Sequence, residues 1–132
     1  MTAPRLGMVT LVVRDYDEAI AFFVDKLGFA LVADREESPA KRWVEVEGAG
    51  GMRLLLARAA NKAQAAAIGN QAGGRVAFFL YTDDFAATYR RMHSNGVAFS
   101  EEPRHETYGT VAVFEDVAGN RWDLIEQSGG MQ

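Results

Sequence analysis

The chain of 132 residues carries a net charge of −4 at neutral pH, and 48% of its residues are apolar. These values predict one globular domain, and the absence of cysteine excludes disulfides, thiolate metal sites and a cysteine nucleophile. The acidic balance disfavours a nucleic-acid partner, because phosphate binding requires a basic face. No apolar run approaches the ~18–20 residues that span a bilayer, and the first residues lack the apolar core of a signal peptide, so we expect a cytoplasmic protein.

The first half of the chain predicts a strand, a helix and three more strands. Residues 8–13 form an apolar, β-branched run typical of a strand. Asp15 and Glu18 form the pattern of a capping box at a helix start, and Gly28 marks the helix end. The apolar residues expected to bury one side of this helix are Tyr16, Ala19, Ile20, Phe23 and Leu27. The further strands are predicted at 29–36, 42–46 and 52–57.

A connector rich in Ala, Gly and Gln, residues 59–74, separates the two halves and includes a predicted short helix at 61–68. We interpret it either as a plain crossing between two half-sheets or as a lid over a pocket. The second half repeats the order of elements, beginning with a strand at 76–82 and a helix capped by Asp83 or Asp84. The remaining elements are a buried stripe of Phe85, Tyr89 and Met92, a helix end at Gly96, and strands at 97–101, 110–115 and 121–125.

Matching spacings indicate that the second half duplicates the first. Gly28 and Gly96 are 68 residues apart, as are Gly51 and Gly119. The helical stripes fit better at an offset of 69, so the two halves correspond to within one residue.

Two modules, at 5–58 and 75–127, predict one α+β domain over residues 1–132. We expect two tandem βαβββ modules to form a curved, mixed, eight-stranded sheet, an open barrel with a helix outside each half. The sheet face without a helix must curl to cover its apolar surface. Strand alternation assigns to the helix side Val9, Leu11, Val13, Trp122 and Leu124. The side chains expected to line the resulting cup are Met8, Thr10, Val12, Phe79, Tyr81, Asp123 and Ile125.

Four segments resemble the vicinal oxygen chelate superfamily, which includes glyoxalase I, bleomycin-resistance proteins and extradiol dioxygenases. They are VRDYDEAIAFF at 13–23, KLGF at 26–29, YGTVAVFED at 108–116 and GNRWDL at 119–124. The resemblance covers nearly the whole chain and implies the fold more than a reaction, because one scaffold carries many chemistries. It also implies a homodimer with a cavity at or near the subunit contact.

Metal-dependent members of this superfamily carry a His, Gln or Glu ligand on the first and last strand of each module. The matching positions are Met8, Leu54 or Leu55, Val76 or Ala77, and Asp123. Only Asp123 offers an oxygen donor, whereas divalent cations normally take at least three protein ligands. We therefore expect no metal and no other cofactor. The alternative is an improvised metal site built from Glu45, His105, Glu106 and Asp123.

Residues 104–108 hold the densest group of functional side chains and are predicted to form a loop before the seventh strand. His105 is a candidate general acid or base, because its ordinary pKa lies near neutrality. Arg104 can clamp a carboxylate or phosphate, and Tyr108 can donate a hydrogen bond. The alternative is a solvated loop held by local ion pairs.

Asp123 lies on a predicted strand inside the cup and therefore needs a partner. We interpret it as facing either a ligand or an arginine such as Arg42 or Arg121. His93 lies off the buried helical stripe and is expected at the surface. The aromatic residues that form either a ligand-binding wall or part of the core are Trp43, Phe79 and Tyr81.

Three functions agree with this pattern. The first is a metal-free protein that binds a small organic molecule, with neither nucleic acid nor membrane as a partner. The second is a lyase, isomerase or dioxygenase-like enzyme that uses an improvised metal or an acid–base pair such as His105 with Asp123. The third is a regulatory domain that acts through its dimer surface. The candidate catalytic residues are His105, Glu106 and Asp123, and the candidate ligand-binding residues are Met8, Thr10, Trp43, Phe79, Tyr81, Arg104, Tyr108 and Asp123.

Overall fold

The computed structural model describes residues 2–128, and the chain divides into two compact units between Ile68 and Gly69. The strands of unit 1 are β1 (Met8–Val13), β2 (Ala30–Ser38), β3 (Lys41–Glu47) and β4 (Arg53–Arg58). Their order in the sheet is β1-β4-β3-β2, with β1 parallel to β4 and the other pairs antiparallel. The helices of unit 1 are α1 (Tyr16–Ile20), which continues as a π-helical segment (Ala21–Lys26), and α2 (Lys62–Ala67).

Unit 2 repeats this plan with one helix and five strands. Its elements are β5 (Val76–Tyr81), α3 (Phe85–Ser94), β6 (Ala98–Phe99), β7 (Arg104–Glu106), β8 (Gly109–Glu115) and β9 (Arg121–Gln127). The order in the sheet is β5-β9-β8-β6, and β7 also pairs with β8. Strand β5 is parallel to β9, as β1 is to β4, and the other pairs are antiparallel.

The predicted α+β fold class is confirmed, because each unit combines a mixed sheet with helices in the expected order. The number of strands differs, since residues 2–128 contain nine strands rather than eight. Residues 104–106, predicted as a loop, form β7 and pair with β8. The strand predicted at 97–101 is reduced to β6. Pro103, which has no N–H to donate to a sheet, lies between β6 and β7.

The helix starts follow the predicted capping chemistry. The Asp15 carboxylate accepts a hydrogen bond of 2.8 Å from the backbone N–H of Glu18. The Glu18 carboxylate does not complete a capping box but pairs with Arg14 at 2.7 Å. In unit 2 the cap is Asp84 rather than Asp83, because the Asp84 side chain accepts from the N–H of Ala87.

Two single-residue irregularities explain why the halves match at an offset of 68 in some places and 69 in others. At the start of β5, the pairing with β9 passes from Val76 directly to Phe78, so Ala77 is an extra residue in a β-bulge. Strand β1 pairs with β4 without such a bulge, and the offset therefore rises to 69. The π-helical segment of unit 1 contains an extra residue relative to an α-helix. This insertion returns the offset to 68 at the glycines that end the two helices.

Helices α1 and α3 each cover one face of the sheet in their own unit, as strand alternation predicted. In unit 1, Leu11 and Val13 of β1 are buried, together with Ala19 and Phe23 of the helix. In unit 2, a continuous chain of aromatic contacts runs from the helix across the sheet. Its members are Tyr89, Phe99, Phe114 and Trp122. Trp122 and Leu124 are buried on this side, as expected.

The turn between β8 and β9 is organised by one buried carboxylate. Asp116 Oδ1 accepts from the backbone N–H groups of Ala118, Gly119 and Asn120 at 2.9–3.0 Å. Its Oδ2 accepts from Asn120 Nδ2 at 3.2 Å and from Trp122 Nε1 at 2.9 Å. One side chain thus fixes both the turn and the orientation of the largest ring in the unit 2 core.

The connector between the modules is shared between the two units. Its predicted helix is present as α2, capped by Asn61 and packed against β1. Further along, the backbone N–H of Gln71 donates to Asn120 Oδ1 at 3.3 Å within unit 2. Across residues 2–128, no helix is both long enough and apolar enough to cross a membrane.

Candidate functional site

The sheet surface of unit 2 that lies opposite α3 brings together several predicted ligand-binding residues. In the sheet register, Phe79 of β5 and Val113 of β8 lie on either side of Asp123 in β9. Cross-strand partners share one face of a sheet. The next cross-strand set along the same face is Tyr81, Ile125 and Val111. We call this surface, with these six residues, the unit 2 face.

Two aromatic rings on the unit 2 face remain open to solvent. Phe79 is 55% exposed and Tyr81 is 59% exposed, although they sit two residues apart on the same strand. By contrast, Phe78, which precedes Phe79 on β5, points to the other side of the sheet. Its ring centroid lies 4.6 Å from that of Trp122. Adjacent exposed rings form an apolar surface that an aromatic molecule can stack on.

The carboxylate of Asp123, across the sheet from Phe79, has one buried oxygen, Oδ1, without a hydrogen-bond partner in the described residues. Burial raises the pKa of Asp123 above its ordinary value, and the nearby charge of Glu101 adds to this, whereas Arg104 and Arg121 oppose it. An unpaired buried carboxylate oxygen is costly for a folded chain and indicates that a hydrogen-bond donor belongs there.

Arg104 lies on the same face as Asp123, because it pairs across the sheet with Val111. Its guanidinium contacts Glu101 at 2.7 Å and also binds Glu106. Hydrogen bonds to Glu101, Glu106 and Tyr108 raise the pKa of Arg104. The predicted clamp for a carboxylate or phosphate is therefore already occupied by acidic side chains of the chain itself. Tyr108 lies in the turn before β8 and is half exposed.

His105 does not join Asp123, contrary to the predicted acid–base pair. It is the cross-strand partner of Thr110, on the side of the sheet that faces α3, and its Nδ1 lies 3.1 Å from Thr110 Oγ1. There it lines a groove of about 630 Å³ together with Tyr89 and the exposed His93. Because Asp123 projects to the opposite face, these two groups cannot share a proton across one site.

In unit 1, the surface opposite α1 holds the predicted residues Met8, Thr10 and Trp43. A charged network that sequence reasoning did not find dominates this surface. Arg53 contacts Glu45 at 2.8 Å and Glu47 at 2.7 Å. Trp43 Nε1 donates to the second oxygen of Glu45 at 2.6 Å, and these two partners lower the pKa of Glu45.

The signal for this network was present in the sequence. Glu45 and Glu47 alternate on one strand, and Arg53 follows on the next strand after a glycine turn, which places all three on one face. The residues line an open groove of about 660 Å³ that also includes Arg5 and Met8.

The residues at the four family ligand positions do not fit a divalent cation. At the first of these positions, Met8 pairs across the sheet with the cationic Arg53. In the improvised set, both oxygens of Glu45 already accept hydrogen bonds. The part of the chain that the structure describes contains no group of three or more His, Cys, Asp or Glu side chains placed to hold a metal. The improvised set of Glu45, His105, Glu106 and Asp123 is thus not assembled.

The predicted arginine partners of Asp123 are also engaged elsewhere. Arg42 pairs with Asp17 at 2.9 Å and with Asp34 at 2.8 Å in unit 1. Arg121 donates to the carbonyl oxygen of Gly74 at 3.5 Å. Within residues 2–128 neither arginine forms an ion pair with Asp123, so the alternative in which Arg42 or Arg121 pairs with it is wrong.

Comparison with known proteins places this arrangement in context. Residues 5–124 match the sequence model of the glyoxalase/bleomycin resistance protein/dioxygenase superfamily. An uncharacterized protein of Shewanella frigidimarina is 54% identical over 121 residues, which is 89% of this chain and 90% of that protein. The crystal structure of UcmS2 is similar with a TM-score of 0.79 and 31% identity, covering 94% of this chain and 98% of that one. TnmS3, an antibiotic binding protein from Streptomyces sp. CB03234, has a TM-score of 0.76 and 28% identity, covering 97% and 99% of the two chains.

Proposed function

The chain belongs to the glyoxalase/bleomycin resistance protein/dioxygenase superfamily, and from this membership we propose that it binds a small, flat organic molecule without a divalent cation. The observation that carries the proposal is the pair of exposed rings, Phe79 and Tyr81, on the unit 2 face. Aromatic side chains so exposed next to a half-buried carboxylate are typical of a binding surface, in which apolar area supplies affinity and a few polar groups fix orientation.

The similarity to TnmS3 supports this proposal from a second direction. TnmS3 is an antibiotic binding protein, and the similarity extends over nearly the full length of both chains. We therefore propose that the ligand is a natural-product-like molecule with a planar ring system. Binding rather than catalysis is favoured because His105 and Asp123 lie on opposite faces of their sheet and form no acid–base pair.

Binding without metal follows from the side chains at the family ligand positions. A thioether and aliphatic groups are poor ligands for Mg²⁺, Mn²⁺ or Zn²⁺, and one carboxylate does not hold such an ion at three or more points. Ligand affinity should therefore depend on stacking and hydrogen bonding and stay constant when chelator is added.

The test is a calorimetric titration of untagged protein, dialysed against EDTA, with daunorubicin and with bleomycin as probes. We expect at least one of them to bind in the presence of EDTA, so that no divalent ion is required. Phe79→Ala should weaken binding by about threefold to tenfold, because one aromatic contact contributes roughly 0.5–1.5 kcal/mol.

The matched control is Met52→Ala, which truncates another exposed apolar side chain in the turn before β4. It should leave the affinity unchanged. Absence of binding by both probes, or binding that requires an added divalent ion, would contradict the proposal.

We also propose that the protein is cytoplasmic and that it forms a homodimer, the second of which the superfamily resemblance implies. Light scattering coupled to size-exclusion chromatography measures the mass in solution directly. A mass near 14.5 kDa, that of one chain, would contradict the dimer.

A further inference from the structure

Asp123 lies on a central strand of the unit 2 sheet, is half-buried, and differs from Asp116, the buried carboxylate of that unit. Asp116 receives five hydrogen bonds from backbone and side-chain N–H groups. Asp123 Oδ1 is shielded from solvent but receives none from residues 2–128. The fold therefore supplies donors for one carboxylate and leaves the other with an unused acceptor.

The charged groups near Asp123 donate no hydrogen bond to its Oδ1. Arg104 is held by Glu101 and Glu106, and Arg121 is directed to the carbonyl oxygen of Gly74. Glu101 itself adds negative charge near Asp123. No residue in 2–128 supplies the donor, so the acceptor is available to a donor on a ligand.

The immediate neighbours of Asp123 define the shape of such a donor. Phe79 and Val113 flank it across the sheet, and Tyr81 lies next along β5 on the same face. A planar ring that stacks on Phe79 or Tyr81 can direct a substituent at its edge toward the Asp123 carboxylate. Apolar contact then comes from the ring, and the hydrogen bond comes from an N–H or O–H at its edge.

We propose that Asp123 selects aromatic ligands that carry an N–H or O–H donor at the ring edge, by accepting the hydrogen bond that the fold leaves unmade. This inference rests on the proposed function and names the chemical class of its ligand. A superfamily position that serves as a metal ligand in relatives is used here as a recognition residue for an organic donor. The unit 1 counterpart of Asp123 in the sheet register is Leu55, opposite Thr10, so this acceptor is present in one module only.

Two dyes of equal charge test the inference. Thionine and methylene blue share one planar tricyclic cation, but thionine has two NH₂ groups where methylene blue has two N(CH₃)₂ groups. The charge and the ring are the same, and the change in the affinity ratio when Asp123 is replaced separates the hydrogen bond from the effect of the four added methyl groups. Equilibrium dialysis of the wild-type protein should give binding of thionine about tenfold tighter than methylene blue, as expected for one hydrogen bond to a charged acceptor.

Asp123→Leu introduces the residue found at the equivalent position of unit 1, and Asp123→Ala provides a smaller second variant. Both should bring the affinity ratio of the two dyes to about one, while Phe79→Ala should weaken both dyes. Asp83→Asn is the matched control, because it removes one exposed carboxylate from the same unit without touching the unit 2 face. It should keep the wild-type ratio.

The outcomes separate this inference from the proposed function. Equal affinity of the two dyes for the wild-type protein, or the same preference in Asp123→Leu and Asp123→Ala, overturns the selection by Asp123 but leaves aromatic binding intact. Failure of both dyes to bind also overturns the inference, and the daunorubicin and bleomycin titrations then decide the proposed function independently.

Discussion

Replacing Asp116 with Asn should destabilise the protein strongly, although the two side chains have nearly the same shape. The amide keeps one oxygen, which can still accept from the backbone N–H groups of Ala118, Gly119 and Asn120. It puts an NH₂ group where Oδ2 now accepts from Asn120 Nδ2 and Trp122 Nε1. Two donors then face a third donor inside a buried turn.

The magnitude follows from these two contacts. Hydrogen bonds to a charged acceptor contribute about 1.5–3 kcal/mol each, and buried donors that lose their acceptor cost about 1–3 kcal/mol. Because the two contacts share one oxygen and are not additive, we expect Asp116→Asn to lower the free energy of unfolding by about 2–4 kcal/mol. This is a large share of the roughly 5–15 kcal/mol typical of a protein domain.

The assay is urea denaturation followed by far-UV circular dichroism, with Asp83→Asn as an exposed-carboxylate control. A double-mutant cycle with Trp122→Phe adds a second test, since it removes the indole donor. The two changes together should cost less than their sum, by about 1 kcal/mol or more. A change below about 0.5 kcal/mol for Asp116→Asn, or strict additivity in the cycle, would refute the role assigned to this carboxylate.

Three further predictions use other features of the fold. Gly109→Ala should lower the free energy of unfolding, measured by urea denaturation, by more than about 2 kcal/mol. Gly109 has a φ of +148°, and an added Cβ would overlap the carbonyl oxygen of Glu126. Gly74→Ala is the control and should lower it clearly less, because the space around Gly74 is open. Asp15→Ala should lower the free energy of unfolding by about 1 kcal/mol, because it removes the N-cap of α1. The control Asp25→Ala changes an exposed carboxylate and should leave the stability almost unchanged. Equal losses in the two variants would contradict the role of Asp15 as a cap. The stability of Asp123→Leu relative to wild type should be greatest near neutral pH and should shrink as the pH falls through the raised pKa of Asp123 toward its ordinary value of 3.8. The reason is that the folded protein binds this proton more tightly than the unfolded chain, so ionisation disfavours folding; a difference that does not vary with pH, measured by denaturation across the acidic range, would contradict it.

The architecture was predictable because strong local signals repeat. Helix caps, the glycines that end helices and the alternating strands β1, β5 and β9 each agree with their neighbours, and consistency among such signals defines a fold. Phe79, Tyr81 and Asp123 were correctly grouped on one face for the same reason, since β5 and β9 are long enough for alternation to assign sides.

The errors have a common physical origin in short or irregular segments. Arg104–Glu106 is a three-residue strand, too short to show a period, so the side to which His105 projects could not be assigned. The bulge at Ala77 and the π-helical segment each add one residue without any distinctive composition. The network around Arg53 depends on pairing between β3 and β4, which sequence spacing suggests only once the hairpin register is known.

The bulge at Ala77 has a consequence for how this module evolves. A strand presents alternate side chains to opposite sides, so inserting one residue inverts the parity of every position that follows. A bulge prevents this inversion, because with Ala77 deleted and Val76 still paired to Arg121, Phe78 would still pair with Trp122 and Phe79 with Asp123. The start of β5 can therefore gain or lose one residue while Phe79, and not Phe78, stays on the unit 2 face.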